Sequence, residues 1–197
     1  MIIPSFSAAM ANAAPKATTC FVYGTLMSPD VLRELLGRVP GMRPRAVLSS
    51  YSRHPVLGRV YPGVVPAPPT GPNNAGGMPT TTTTNAVEGI LLLDITPLEM
   101  RCLDWFEEEG VDYKRSNVQV KVPSCSFDED GKPSENDDGG NPNVEIIKTN
   151  AYIWALGTSK LDLSRDWDYD MFLQKHLDWY LETTVKPCRI AIEKEIL

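Results

Sequence analysis

Three consecutive glutamates, Glu107 to Glu109, follow an apolar stretch that ends at Phe106. A carboxylate beside apolar side chains loses hydration, which disfavours its charged form and raises its pKa. Such a group can take up a proton near neutral pH and later return it, as a general acid/base catalyst does. These residues therefore predict proton transfer by a carboxylate. The alternative is three solvated charges at a helix end, where negative charge is mildly unfavourable with respect to the helix dipole.

The helix that carries these glutamates should begin at Thr96-Pro97-Leu98-Glu99, the pattern of a capping box with proline at the first helical position. Its apolar residues form one broad sector at about 100° per residue: Leu98, Met100, Cys102, Leu103 and Phe106. Glu108 lies on the opposite, solvated side together with Asp104. Glu107 and Glu109 both lie at the border of the apolar sector, so the helical periodicity leaves the choice between them open.

A second stretch that could do chemistry is Cys20-Phe21-Val22-Tyr23-Gly24-Thr25-Leu26-Met27. An apolar strand ends at Tyr23, and Ser28 followed by Pro29 begins a helix. Gly24 can adopt a positive φ or allow another molecule to approach the backbone closely. The amides after it have no strand partner and converge near the positive end of the helix, which suits a carboxylate. The alternative is an ordinary connection between a strand and a helix.

Four motifs follow one another along the chain: Tyr-Gly-Thr-Leu at 23–26, Gly-Arg-Val-Tyr-Pro-Gly at 58–63, Leu-Asp-x-Phe-Glu with Tyr-x-Arg at 103–115, and Ala-Tyr-Ile-Trp at 151–154. Together they resemble the gamma-glutamylcyclotransferase-like superfamily, and its AIG2-like branch most closely. The resemblance covers residues 19–182. Each motif is short, but four in this order are hard to obtain by chance.

The resemblance implies roles for eight residues. The family motif has its acid directly after the phenylalanine, which selects Glu107 as the general acid/base. The implied substrate-binding residues are the turn and three tyrosines: Tyr23, Gly24, Thr25, Leu26, Tyr61, Tyr113 and Tyr152. Judged from the residues alone, these tyrosines could equally be half-buried strand residues. Arg115 alternates with Tyr113 along the strand and is expected to pair with a carboxylate at the edge of the core.

The family reaction is an internal aminolysis. The α-amine of a γ-glutamyl group attacks its own γ-carbonyl, 5-oxoproline forms and an amine leaves. Because the attack is intramolecular, proximity removes much of the barrier, but an α-amine with a pKa of roughly 8 must first lose a proton. We therefore expect a gamma-glutamylcyclotransferase-type enzyme that acts on a small γ-glutamyl substrate and needs no metal or other cofactor.

Two other functions remain open. One is a catalytically silent AIG2-like binding or regulatory protein that retains the same pocket. The other is an enzyme that removes a γ-glutamyl group from an unusual amine in a biosynthetic route. An intact Glu107 favours catalysis, because a binding protein does not need the acid. The leaving amine is not predicted, since a dipeptide, a glutathione-like thiol peptide and an ε-lysyl isopeptide share the same γ-glutamyl head.

The composition indicates a globular protein, with 42% hydrophobic and 22% charged residues among 197. The net charge of −6 argues against a nucleic-acid partner, although residues 123–143 alone contain six acidic residues and one lysine.

The cysteines, Cys20, Cys102, Cys125 and Cys188, are irregularly spaced, so we expect free thiols in a reducing compartment. Neither a signal peptide nor a membrane-spanning run is evident. We expect a cytoplasmic protein with no membrane partner, and oligomeric state is not predicted.

The element order predicts an α+β fold, a small, mostly antiparallel β-barrel with flanking helices, and the resemblance implies the same fold. Residues 1–18 should be a flexible lead and 19–197 a single domain. The Pro-, Gly- and Thr-rich segment 66–86 and the acidic segment 123–143 should be mobile loops. Strands are predicted at 19–23, 43–53, 55–65 (short, at an edge), 87–94, 113–122 and 144–156.

Three helices are predicted. Two begin at Ser28 and Thr96, and the third runs from Asp168 to about Glu182. The buried face of the third helix is predicted to consist of apolar and aromatic residues: Met171, Phe172, Leu177, Trp179 and Tyr180.

Overall fold

The structure is a computed structural model of the chain and describes residues 18–68, 85–123 and 144–195. Residues 1–17 of the predicted flexible lead, most of both predicted mobile loops and Cys125 lie outside the described residues, whereas Thr18 begins a strand. Within the described ranges, no helix is long and apolar enough to cross a membrane.

The described residues form seven strands: β1 (Thr18–Val22), β2 (Gly41–Ser49), β3 (Tyr51–Pro55), β4 (Pro62–Pro66), β5 (Ala86–Ile95), β6 (Tyr113–Pro123) and β7 (Val144–Trp154). Five of them close into a barrel in the order β1-β5-β2-β6-β7. All neighbouring pairs in the barrel are antiparallel except β1 and β7. The predicted α+β class with a small, mostly antiparallel barrel is confirmed.

Five α-helical segments accompany the strands: α1 (Pro29–Leu36), α2 (Pro97–Phe106), α3 (Tyr169–Lys175), α4 (Leu177–Tyr180) and α5 (Lys186–Glu195). A 3-10 turn over Thr25–Met27 connects β1 to α1, and a π-helical turn over Leu181–Val185 connects α4 to α5. Helix α1 ends at Gly37, which takes a left-handed conformation and whose amide donates to the carbonyl of Arg33.

Local sequence explains both ends of α2. The Thr96 hydroxyl accepts a hydrogen bond from the Glu99 amide at 3.2 Å, and the Glu99 carboxylate accepts one from the Thr96 amide at 2.9 Å, which completes the predicted capping box. The helix ends with Glu107 as its C-cap, and Glu108 follows at a φ of 46°. A left-handed residue after the cap turns the chain away from the helix axis. Glu107 therefore lies where α2 stops.

Apolar side chains pack on both faces of β1. Phe21 and Tyr23 belong to a cluster formed mainly by residues of the barrel strands, whereas Cys20 and Val22 belong to a larger cluster that joins the barrel to the helices. Because successive strand residues point to opposite faces, β1 connects the two parts of the core. The chain enters the turn before α1 from this buried strand.

The prediction of one continuous strand over 43–53 was wrong. Ser50 has a φ of 66°, which extended strand geometry does not allow, and it separates β2 from β3. The prediction of a short strand within 55–65 corresponds to β4, which pairs with β3 in a two-stranded sheet outside the barrel.

The C-terminal helix also differs from its prediction. It is interrupted at His176, whose φ of −125° is not helical, and it continues through the π-helical turn to Glu195 rather than ending near Glu182. The interruption changes the helical phase, so Trp179 is 56% exposed although it was predicted to be buried. Leu98, in the first turn of α2, is likewise 44% exposed rather than part of the buried sector.

Candidate functional site

A cavity of about 140 Å³ lies where the turn after β1, the C-terminal end of α2 and the C-terminal helices meet. All eight residues with a predicted role line it: Tyr23, Gly24, Thr25, Leu26, Tyr61, Glu107, Tyr113 and Tyr152. They come from four separate motifs, so the fold brings the motifs together at one place.

The cavity has eight further lining residues, none of which was predicted to belong to the site: Phe21, Val22, Pro62, Phe106, Glu108, Asp112, Tyr180 and Thr184. Most of them are sequence neighbours of predicted residues and could have been found from that proximity. Tyr180 and Thr184 are different, because they lie on the C-terminal segments. The sequence indicated only burial for Tyr180 and gave no signal for Thr184.

Glu107 is held by the end of α2, where its amide donates to the carbonyl of Leu103 at 2.9 Å. Burial raises the pKa of its carboxyl from 4.5 to about 8, and the negative charge of Asp112 adds to this effect. Its carboxylate has no hydrogen-bond or ion-pair partner among residues 18–68, 85–123 and 144–195. An uncommitted carboxyl group with this pKa can both accept and donate a proton near neutral pH.

The structure separates the two candidates that the helical periodicity left open. Glu109 is exposed and is not among the residues that line the cavity, whereas Glu107 is half-buried and lines it. Glu108 is exposed, as predicted, although it also reaches the cavity wall. The difference arises because the chain leaves α2 at Glu108 with a positive φ, so Glu109 no longer follows the helical phase.

The turn at residues 23–26 forms the opposite wall. The Met27 amide donates to the Gly24 carbonyl at 2.9 Å, and the Ser28 amide donates to the Thr25 carbonyl at 3.1 Å. The amides of Thr25 and Leu26 stand at the beginning of this 3-10 turn, where N–H groups have no intrahelical acceptor. They are suitable donors for a carboxylate bound in the cavity.

Of the two reasons expected for Gly24, a positive φ does not apply. Its φ is −125°, so it is not in the left-handed region that favours glycine. A Cβ added there would lie 2.9 Å from Cγ and 3.0 Å from Cδ of Pro62. Glycine is therefore required because the proline ring packs directly against the turn.

Arg53, on β3, supports the turn from behind. Its Nη1 donates to the carbonyl of Tyr23 at 2.8 Å, and its guanidinium also pairs with Asp166 at 2.9 Å. The planar guanidinium can hold both acceptors in a fixed geometry. The hydrogen bond restrains the peptide unit that precedes the turn.

Three of the predicted tyrosines, Tyr23, Tyr113 and Tyr152, line the cavity and use their hydroxyl groups in hydrogen bonds within the protein. The Tyr113 hydroxyl donates to the carbonyl of Pro62 at 2.7 Å, and the Tyr152 hydroxyl donates to Asp104 Oδ1 at 2.8 Å. The Tyr23 hydroxyl donates to the carbonyl of Tyr152. These bonds hold the three aromatic rings in place, so the rings give the cavity a fixed shape.

Asp104 was predicted to be on the solvated side of α2, and this was wrong. It is half-buried because β6 and β7 pack beside the helix, and its carboxylate accepts from both Tyr152 and Arg115, the latter at 2.9 Å. The predicted pairing of Arg115 with a carboxylate is confirmed. Asp104 precedes Glu107 by about one helical turn, so this network fixes the last part of α2 against the barrel.

Within the three described ranges, no group of three or more histidine, cysteine, aspartate or glutamate side chains could hold a metal ion. This cavity is lined by carboxyl groups, hydroxyl groups, backbone amides and aromatic surface, and Glu107 is the carboxyl group whose pKa burial raises to about 8.

Comparison with known proteins identifies related sequences and solved structures with a related fold. A sequence model of the family described as "Gamma-glutamyl cyclotransferase, AIG2-like" matches residues 20–169. AIG2-like protein D of Arabidopsis thaliana is 33% identical over 164 residues, which cover 83% of this chain and 84% of that protein. AIG2-like protein C of the same plant is 30% identical over 166 residues, which cover 84% of this chain and 75% of that protein.

Among solved structures, a solution structure of an Arabidopsis thaliana protein superposes with a TM-score of 0.50 at 22% identity, covering 92% of this chain and 86% of that one. At this identity the similarity shows a shared fold.

Proposed function

Because the chain belongs to the gamma-glutamyl cyclotransferase, AIG2-like family, we propose that it is a gamma-glutamylcyclotransferase-type enzyme, which cyclises a γ-glutamyl group to 5-oxoproline and releases an amine. The observation that carries this proposal is Glu107, whose pKa of about 8 suits a proton carrier and which lies in a cavity facing the turn at 23–26. A protein that only binds a ligand does not need this carboxyl group.

The cavity suits the head of the substrate rather than the whole molecule. Its volume of about 140 Å³ is well below the roughly 300–1,000 Å³ of sites that enclose a drug-sized ligand. In the proposed complex, the amides of Thr25 and Leu26 hold the α-carboxylate, and the aromatic rings enclose the methylene chain. The leaving group extends beyond this cavity. Holding the chain in a folded conformation brings the amine to its own γ-carbonyl carbon.

Glu107 then transfers the protons. In its ionised form it removes a proton from the α-ammonium group, and the neutral amine attacks the γ-carbonyl carbon. In its protonated form it returns the proton to the nitrogen of the leaving amine as the γ-amide bond breaks. Ionised again, it takes the second proton from the ring nitrogen, which leaves the nitrogen of 5-oxoproline neutral. A pKa near the working pH allows the same group to perform both steps. The chemistry needs no covalent intermediate with the protein, and we propose that it is independent of metal ions.

The test is release of 5-oxoproline by the purified chain. Substrates should include a γ-glutamyl dipeptide, a γ-glutamyl thiol tripeptide and ε-(γ-glutamyl)lysine, since these share the head group and differ in the leaving amine. Mass spectrometry should detect 5-oxoproline with at least one substrate, also in the presence of a chelator. Glu107→Gln should remove this product, while Glu109→Gln, the neighbouring exposed glutamate, should retain it. Tight binding of the substrates without product would instead support a catalytically silent binding protein.

A further inference from the structure

Five tyrosine side chains surround the cavity: Tyr23, Tyr61, Tyr113, Tyr152 and Tyr180. Three of them donate their hydroxyl protons to acceptors inside the protein, which are the carbonyl oxygens of Tyr152 and Pro62 and the carboxylate of Asp104. Tyr61 and Tyr180 do not. Tyr61 and Tyr180 are therefore the two tyrosines whose hydroxyl groups are candidates to donate to a ligand in the cavity.

The Tyr180 hydroxyl is buried and only weakly paired within the described residues. The residue is 4% exposed, and its hydroxyl oxygen accepts from Oγ1 of Thr25 at 3.5 Å. This distance is at the upper limit for a hydrogen bond. A buried hydroxyl normally has a closer partner, so Tyr180 is available to donate to an oxygen that the ligand brings.

Packing fixes the direction of the Tyr180 ring. It meets Phe172 edge to face at a centroid distance of 5.5 Å and Phe106 at 6.5 Å, with interplanar angles of 80° and 83°. Phe106 immediately precedes Glu107, and Thr25 belongs to the opposite turn. The hydroxyl of Tyr180 is therefore located between the turn and the end of α2. The π-helical turn starts at the next residue, and such turns often occur at functional sites.

Tyr61 likewise has no hydrogen-bond partner for its hydroxyl within residues 18–68, 85–123 and 144–195, but its environment differs. It is half-buried, and nearby charges include the exposed Arg59 and the half-buried Asp112. Water competes for a donor in that position. A preorganised donor is worth more where water is excluded, which favours Tyr180 as the group that acts on the reacting atoms.

We propose that the Tyr180 hydroxyl donates a hydrogen bond to the γ-carbonyl oxygen as negative charge develops on it. The inference rests on the proposed function and names the residue that stabilises the oxyanion. Tyr180 lies beyond residues 20–169, which the family model matches.

The step balances without a further reactant. The nitrogen lone pair forms a bond to the γ-carbonyl carbon, the C=O π electrons move to oxygen, and Glu107 holds the proton that the amine has lost. The Tyr180 proton remains on its oxygen throughout. The oxyanion then re-forms the carbonyl, the bond to the leaving nitrogen breaks, and Glu107 protonates that nitrogen. Glu107, ionised again, takes the second proton of the ring nitrogen and passes it to the released amine, which leaves as an ammonium ion.

The acidity of the phenol agrees with this role. Burial raises the pKa of Tyr180 above its ordinary value, and the nearby charge of Glu107 raises it further. Tyr180 thus stays protonated across the pH range in which Glu107 titrates, so the two groups do not exchange roles.

The first experiment compares kcat and KM for three variants. Tyr180→Phe keeps the ring and its contacts, so the fold should survive, while kcat should fall by about 10²- to 10³-fold with little change in KM, as for loss of one oxyanion donor. Tyr169→Phe is the matched control, since this half-buried tyrosine on α3 does not line the cavity. Tyr61→Phe tests the rival donor. A loss of kcat in Tyr61→Phe but not in Tyr180→Phe would overturn the proposal.

The second experiment measures binding and does not depend on turnover. 2-Amino-4-phosphonobutanoate carries tetrahedral oxygens in place of the γ-carbonyl, whereas norvaline has the same head group without them. At pH 6.5, where the Glu107 carboxyl group is largely protonated, Tyr180→Phe should weaken phosphonate binding by about 10- to 100-fold. Norvaline affinity should remain within about twofold, because norvaline offers Tyr180 no γ-oxygen.

The outcomes separate this inference from the proposed function. Equal weakening of both ligands would assign the hydroxyl to the α-carboxylate or to cavity shape and would refute the oxyanion role. Selective weakening of the phosphonate by Tyr180→Phe, in a protein that releases no 5-oxoproline, would support the donor and refute the enzyme. Failure of the wild-type protein to bind either ligand would refute both.

Discussion

Replacing Glu107 with glutamine should abolish the proposed cyclotransferase activity and at the same time stabilise the fold at neutral pH. Glutamine has nearly the same size and remains polar, but it cannot carry the proton. We expect the turnover rate to fall by about 10²- to 10⁴-fold, the usual contribution of one general acid/base group. The gain in stability follows from removing an ionisable group that burial holds in an unfavourable environment.

The pKa of Glu107 gives the size and sign of this gain. Its value is about 8 in the folded protein and 4.5 without burial, so the folded state binds more protons than the unfolded state between these pH values. The stability of the wild-type protein must then fall as pH rises through this window. The cost of keeping the glutamate is about 1 kcal/mol at pH 5 and about 3 kcal/mol at pH 7. Glu107 is half-buried rather than fully enclosed, so these are upper values.

Urea unfolding at pH 5, 6, 7 and 8 measures this effect. The difference in unfolding free energy between Glu107→Gln and the wild type should grow by about 2 kcal/mol from pH 5 to pH 7. The urea m-values should be equal, because the surface exposed on unfolding does not change. Release of 5-oxoproline is measured on the same preparations.

Glu109→Gln is the matched control, because this neighbouring glutamate is exposed and does not line the cavity. Its unfolding curves should follow those of the wild type at every pH. If Glu107→Gln shows the same pH dependence of stability as the wild type, the carboxyl group is hydrated in the folded protein. The assignment of Glu107 as the proton carrier would then lose its physical basis.

Two further variants test how the surroundings act on this group. Asp112→Asn removes a negative charge that raises the pKa of Glu107, so the acid limb of the pH profile of kcat/KM should move to lower pH. An unchanged acid limb would show that Asp112 does not raise the pKa of Glu107. Gly24→Val places a Cβ 2.9 Å from Cγ of Pro62 and should destabilise the fold by about 1–3 kcal/mol as well as weaken norvaline binding. Thermal melts measure the stability of Gly24→Val, and titration calorimetry measures its affinity for norvaline. If this variant melts and binds like the wild type, the turn at 23–26 is only a connection between β1 and α1.

Several features could be predicted from the sequence because they depend on neighbouring residues. The capping box at Thr96 and Glu99 needs only two residues three positions apart, and Gly37 ends α1 through its own backbone conformation. The alternation along β6 has a period of two, which identifies a strand without knowledge of its partner. The C-terminal helices were predicted less well, because the interruption at His176 and the π-helical turn have no periodicity of their own.

The sequence by itself determined the motifs and the α+β class, since these depend on residue types and short spacings, and the motif resemblance selected Glu107. Only the tertiary structure gave the physical difference between Glu107 and Glu109, which lies in which side chain lines the cavity. It also showed that Tyr180 lies beside Thr25, a residue 155 positions earlier in the chain. Periodicity reports whether a side chain is buried, but the partner of a buried polar atom is set by contacts between distant segments. For this reason the sequence could not predict that the hydroxyl of Tyr152 donates to Asp104 or that the hydroxyl of Tyr180 meets Thr25.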